Sequence, residues 1–157
     1  MLKSEKYQRY FKTLIDELRE QHNFTQARKA QGVNYYGFAS GFTGIKYYAK
    51  FSGAYTATAL HIDFGNYDKN KFFFDVLKER ECQINANFDV TLHWYRRDDI
   101  DTSIIGFARD GNIESDARTL EFIRAWHIEN LLKLKAVFTP EIQRARETLQ
   151  SGERAPE

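Results

Sequence analysis

The 157-residue sequence is poor in cysteine, proline and methionine, and neither sign of charge is in excess. Its one cysteine, Cys82, excludes an intramolecular disulfide and a cysteine-based zinc knuckle. Its 23 basic and 22 acidic residues give a net charge of +1, unlike the large positive excess of histone-like proteins. No apolar run is long enough to cross a bilayer, and residues 1–6 have no signal-peptide core. We therefore expect a soluble cytoplasmic protein with no membrane partner.

Apolar residues make up 42% of the chain and aromatic residues 15%, which is enough for a substantial hydrophobic core. A chain of this length usually has one core. We expect a single domain over residues 1–150, with Trp94 and Trp126 buried in it. The polar residues 151–157 are expected to form a disordered tail.

The spacing of apolar residues predicts the element order α-βββ-α-ββ-αα. Helical spacing predicts helices over residues 4–22 and 69–85. Alternation with a period of two predicts the strands, which fall near residues 34–40, 45–52, 55–64, 90–95 and 102–109. A long helix follows Ser115, and the Thr-Pro-Glu step at Pro140 predicts that another helix begins there. The predicted fold is an α+β domain with a five-stranded antiparallel sheet and helices packed on one face.

Asp63, at the end of the third predicted strand, raises the question of a metal-dependent nuclease. The restriction-type nuclease core needs an acid followed two positions later by Lys, and no Asp or Glu here has that Lys. The residue types favour a turn cap for Asp63 instead. His61 and Asp63 share a strand face, but two ligands are too few for a confident metal site. We expect no metal and no cofactor.

The glycine-rich residues 37–44 precede a strand, whereas a phosphate-binding loop precedes a helix. This stretch is therefore predicted to be a hairpin loop in which Phe42 is exposed and is a candidate binding residue. The solvent face of the sheet is predicted to carry the candidate binding residues, which are Lys46, Tyr48, Lys50, Tyr55 and His61. Such a face has three interpretations: a shielded sheet surface, a protein interface, or a nucleic-acid surface that stacks bases and neutralises phosphates.

The 24 aromatic residues are too many for the inner sheet face and the helix stripes together. Phe42, Tyr48 and Tyr55 are expected to lie outside the core and to form an apolar patch. A two-fold dimer is the commonest way to cover such a patch. We therefore expect a homodimer.

Two parts of the chain resemble the bacterial domain-of-unknown-function 4268 family. The first runs from the Phe-rich residues 72–79 to Leu-His-Trp at 92–94, and the second is a Trp-bearing helix, 120–127, leading to Val-Phe-Thr-Pro at 137–140. The resemblance spans roughly residues 7–145, and it implies an accessory domain found beside nuclease-like domains in restriction and defence proteins. Tyr10-Phe11 and Asn85 depart from the family pattern in ways compatible with packing. The family offers no catalytic set of residues.

These observations predict an interaction domain rather than an enzyme. The leading expectation is a protein partner, either a second copy of the chain or a nuclease-like protein. The alternative is a nucleic-acid-binding accessory module that uses the Lys/Tyr face of the sheet. A metal-dependent nuclease is the third candidate.

Overall fold

The computed structural model describes residues 1–154 and places them in four helices and five strands. The helices are α1 (Lys3–His22), α2 (Tyr67–Lys78), α3 (Glu81–Asn85) and α4 (Ala117–Arg154). The strands are β1 (Tyr35–Ala39), β2 (Ile45–Ser52), β3 (Tyr55–Ile62), β4 (His93–Tyr95) and β5 (Ser103–Asp110). Within residues 1–154, no helix has the length and apolarity needed to span a membrane.

The strands form one antiparallel sheet in the order β1-β2-β3-β5-β4. β1 to β3 are a meander, and β5 pairs with β3 from Tyr55↔Asp110 to Ile62↔Ser103. β4 is a three-residue edge strand, shorter than the predicted 90–95. The predicted α+β class, with a five-stranded antiparallel sheet and helices on one face, is confirmed.

Alternation along each strand separates a covered face from an uncovered one. In β2 the side chains of Ile45, Tyr47, Ala49 and Phe51 are at most 2% exposed, because they pack under the helices. α1, α2 and α4 all contribute buried apolar side chains to the same core. In the described part of the chain, no helix lies on the other face of the sheet, which leaves the intervening side chains accessible.

α1 ends at Asn23, which adopts a left-handed φ of 51°. The backbone N–H of Phe24 then donates to the carbonyl of Leu18 at 3.0 Å and satisfies a carbonyl of the last helical turn. The chain reverses here. Residues 23–34, which we call the strap, lead from this turn to β1.

The single helix predicted over residues 69–85 is two helices, α2 and α3. The break falls at Arg80, whose φ of −110° and ψ of 28° are not helical. The Arg80 Nε donates to both carboxylate oxygens of Glu141 on α4, at 2.8 and 2.9 Å. This long-range ion pair and the buried Ile84 favour a change of direction that no local sequence signal marks.

The two predicted C-terminal helices are one helix, so the expected αα ending is wrong. Pro140 lies inside α4 and removes one backbone donor. The helix continues because Phe138, Ile142 and Ala145 are fully buried on both sides of the proline. α4 extends to Arg154, beyond the predicted domain end at residue 150. Residues 155–157, the rest of the predicted tail, lie outside the described residues.

A chain of polar side chains crosses the core between α1, α4 and β3. The Thr56 hydroxyl donates to the Lys50 carbonyl at 2.6 Å, so its oxygen accepts from Nε2 of His127 at 2.8 Å. Nδ1 of His127 is then left to accept from the Tyr10 hydroxyl. His127 is fully buried, and burial lowers its pKa to about 3, so the imidazole is neutral.

Trp94 and Trp126 are only partly buried, unlike the expected core tryptophans. Trp94 packs edge-on against Phe74 and donates its indole N–H to the Asn85 side chain at 2.9 Å. Trp126 packs against Phe107, and the Arg109 guanidinium covers part of its ring. Both rings lie at the border of the core, because the Trp94 N–H has a polar partner in Asn85 and the Trp126 ring face has one in Arg109.

Candidate binding face

The uncovered side of the sheet, which we call the open face, carries three kinds of side chain. Its centre consists of residues with small side chains or none, which are paired across β3 and β5: Ala57, Ala59, Gly106 and Ala108. Aromatic rings surround this centre and come from several strands of the sheet; they belong to Tyr35, Tyr48, Tyr55, His61, His93 and Tyr95. Lys46 and Lys50 project from β2 on either side of Tyr48. The face therefore combines rings, cations and a shallow floor.

Three of these rings form a row across β1, β2 and β3. The centroid of Tyr48 lies 5.7 Å from that of Tyr35 and 4.0 Å from that of His61. The row is close-packed because β1 has Gly37 opposite Tyr48, and a Cβ there would come within 2.8 Å of the Tyr48 ring. Gly37 thus makes room for the central ring of the row.

The cations of the open face form no ion pair with an acid of the described chain. Among residues 1–154, the side chains of Lys46 and Lys50 are exposed and form no hydrogen bond or ion pair. Arg97 enters from the loop before β5, and its guanidinium donates to the carbonyl and the hydroxyl of Thr102. Arg97 has a φ of 57°, an uncommon left-handed conformation for a residue with a side chain.

The electrostatics of His61 reflect these neighbours. Its pKa is lowered to about 4, chiefly by burial and further by the charges of Arg97 and Lys50, against an opposing effect of Asp63. His61 is therefore neutral at pH 7. Burial also raises the pKa of the Tyr48 hydroxyl. The ring row is uncharged, and the positive charge lies around it.

A cleft of about 540 Å³ opens at the end of the ring row, beside the β1–β2 hairpin. Four of the six predicted binding residues line it, namely Phe42, Lys46, Tyr48 and His61. A second groove of about 510 Å³ follows the edge of β1 and shares Ala39, Ser40, Gly41 and Lys46 with the cleft. The open face is thus continuous with the edge of the sheet.

Of the other predicted binding residues, Tyr55 and Lys50 lie outside the cleft, and Phe42 lines it in an unexpected position. Phe42 is not an exposed loop-tip residue as expected: it is partly buried against the core, with the Arg146 guanidinium 5.2 Å from its ring centroid. The Ser40 hydroxyl, which accepts from the Phe42 N–H and donates to the Ile45 carbonyl, folds the loop inward. Tyr55 is 51% exposed but lies at the far end of the open face. Lys50 is on the open face beside the ring row.

Asp63 caps a turn, as predicted, because its carboxylate accepts from the Gly65 N–H at 3.0 Å. Among residues 1–154, no three His, Cys, Asp or Glu side chains are grouped as metal ligands. Sequence reasoning missed Tyr35 and Arg97. The alternation of the first strand was a usable signal for Tyr35, whereas nothing local distinguishes Arg97 from its neighbour Arg96.

A family model for DUF4268, a domain of unknown function, matches residues 6–142. The chain belongs to this family. The match covers most of the chain and agrees with the extent of the resemblance seen in the sequence. No curated protein and no solved structure is significantly similar to this DUF4268 domain. The open face of the DUF4268 domain is therefore interpreted from its own residues.

Proposed function

We propose that this DUF4268 domain binds single-stranded nucleic acid on its open face. The observation that carries the proposal is the row of Tyr35, Tyr48 and His61 with unpaired cations beside it. Aromatic rings on a sheet stack the exposed bases of a single strand, and neighbouring cations neutralise its phosphates. Neutral His61 serves as a stacking ring at pH 7.

The charge of the open face favours this partner over a protein. Lys46, Lys50 and Arg97 carry positive charge around the ring row, and the nearest acid of the cleft, Asp63, is engaged in its own turn. An anionic partner with flat rings complements both the positive charge and the row of aromatic rings. A second copy of the same surface would bring like charges together.

The proposal predicts that ring removal weakens binding. Fluorescence anisotropy of a labelled twelve-nucleotide oligothymidine measures the dissociation constant at 50 mM salt. Tyr48→Ala should weaken binding by roughly 5- to 150-fold, the value of one stacked base. Tyr48→Phe keeps the ring and should bind like the wild type. When the same measurement is repeated over a series of salt concentrations, Lys46→Ala should lower the slope of log affinity against log salt by about 0.7.

Phe122→Ala removes an exposed ring from α4, outside the open face, and serves as the matched control. It should leave binding unchanged. Urea midpoints show whether each variant is folded. A folded Tyr48→Ala protein that binds as tightly as the wild type would contradict the proposal, as would a wild type that does not bind.

A second candidate is self-association through the other half of the open face. There a trough of about 270 Å³ has no Asp, Glu, Lys or Arg in its lining, which includes Tyr55, Ala108, His93 and Tyr95. A shallow surface with tyrosines and without Asp, Glu, Lys or Arg suits a two-fold contact. In sedimentation velocity, a dimer that Ala108→Glu separates would support this candidate. A monomer of 18.5 kDa at all concentrations would exclude it.

A further inference from the structure

A separate group of cations lies on the helical side of the molecule, between α1 and the strap. Arg9 and Lys12 of α1 face Arg28 and Lys29 of the strap across a groove of about 600 Å³. We call this the basic groove. Glu5 is the one acid that lines it among the described residues. Since the whole chain has a net charge of +1, this concentration of cations is local.

The strap is anchored to the core and to α1 on both sides of Arg28 and Lys29, which places the backbone of these two residues beside α1. The Arg19 guanidinium donates to the Ala27 carbonyl at 2.8 Å. Phe24 is 4% exposed in the core, with the Lys135 ammonium 5.1 Å from its ring centroid. At the other end, Gly32 lies against α1, and a Cβ there would come within 2.8 Å of the Ser4 carbonyl.

Three of the four cations of the basic groove have no partner of opposite charge among the described residues. Among residues 1–154, the side chains of Arg9, Arg28 and Lys29 are exposed and form no hydrogen bond or ion pair. Lys12 pairs with Asp16 at 2.6 Å, but both side chains are partly exposed and such a pair is weak. Like charges held close together repel, and an anion between them removes that repulsion.

We propose that the basic groove binds the phosphate backbone of a nucleic acid. Arginine forks and lysine ammonium groups are the usual partners of phosphate oxygens. Within the described part of the chain, no aromatic ring and no large apolar side chain lines the groove, so it offers no pocket for a base or a peptide side chain. Recognition there rests on phosphate alone. This proposal depends on the groove and not on the open face.

Duplex DNA is the probe that separates the two surfaces, because paired bases are hidden from stacking. The affinity of a labelled 16-base-pair duplex is measured by anisotropy over a series of salt concentrations. The variant Arg28→Ala/Lys29→Ala should lower the slope of log affinity against log salt by about 1.8, or 0.9 for each phosphate that is no longer neutralised. Arg9→Ala should lower it by about 0.9.

Arg118→Ala removes an exposed cation of α4 outside the basic groove and is the matched control. Its slope should equal that of the wild type. Tyr48→Ala should also leave duplex binding unchanged, so failure of the open-face proposal is seen separately, with the single strand. Urea midpoints confirm that each variant is folded.

Two results would overturn the proposal for the basic groove. One is equal slopes for the wild type and the folded Arg28→Ala/Lys29→Ala variant. The other is that polyglutamate displaces the labelled duplex as well as unlabelled duplex does at the same concentration of charge. The groove would then bind acidic peptides as well as it binds nucleic acid. Weak competition by polyglutamate and inorganic phosphate, together with the lowered slopes, supports a site for the nucleic-acid backbone.

Discussion

At the scale of single residues, two buried threonines of β3 have opposite roles. Thr56 and Thr58 are both fully buried. The Thr56 hydroxyl bonds to Lys50 and His127, whereas the Thr58 hydroxyl has no hydrogen-bond partner among the described residues. A buried hydroxyl without a partner destabilises the fold, and a bonded one supports it.

Valine has nearly the shape of threonine and a similar preference for strands, so it tests this difference. Thr58→Val should raise the free energy of unfolding by about 1 kcal/mol, because it removes an unsatisfied group. Thr56→Val should lower it by about 1–3 kcal/mol, because His127 and the Lys50 carbonyl are left without this partner. Urea denaturation measures both. Equal effects of the two substitutions would contradict the assigned hydrogen bonds.

His127 makes the fold sensitive to acid. Its pKa is about 3 in the folded chain and about 6.5 when unfolded, so between these values only the unfolded chain binds the proton. The free energy of unfolding should therefore fall by about 1.4 kcal/mol per pH unit as pH decreases below 6.5. His61, with a pKa of about 4, adds to the same decrease.

Urea midpoints at pH 7, 6 and 5 test this prediction. His127→Gln keeps an acceptor and a donor but does not titrate, so its stability should depend less on pH over this range. His61→Gln removes only the contribution from the open face and is the comparison. A His127→Gln variant with the same pH dependence as the wild type would show that folding does not lower the pKa of this imidazole.

At the scale of elements, α4 contains a proline that does not interrupt the helix but destabilises it. Pro140 is exposed, and its missing N–H leaves the Ala136 carbonyl without its helical donor. The Thr139 hydroxyl bonds to the carbonyl of Lys135 at 2.5 Å, in the same turn. The packing of Phe138 and Ile142 keeps the two halves of the helix aligned.

Pro140→Ala should restore the missing hydrogen bond and raise the free energy of unfolding by about 1–3 kcal/mol. Thermal denaturation followed by circular dichroism measures the change. If residue 140 instead began a new helix, proline would be favoured there, and alanine would leave stability unchanged or lower it.

Periodicity predicted the helices and strands well where the pattern was local. β2 matches its predicted range, and the burial of its alternate residues follows from a period of two. The positions at which helices end or continue were predicted poorly, because tertiary packing overrides local sequence signals. Arg80 interrupts a helical pattern to reach Glu141, and Pro140 does not interrupt one because its neighbours are buried.

At the scale of the whole molecule, the candidate site was predicted in part. Lys46, Tyr48 and His61 could be placed on one face because they belong to neighbouring strands of a hairpin. The contribution of Arg97 could not, because it depends on a loop positioned by β5. The buried Lys71 ammonium holds that loop through the carbonyls of Arg96 and Thr102, an interaction between distant segments.

The order of strands also determines when the sheet is complete during folding. β1 to β3 are joined by short turns, whereas the free edge of β3 pairs with β5 only after all of residues 63–102 have formed a closed loop. Such non-local pairing is slow. On the ribosome, the unpaired edge of β3 therefore stays exposed until residues 103–110 emerge. That interval is when the nascent chain is most open to intermolecular strand pairing and aggregation.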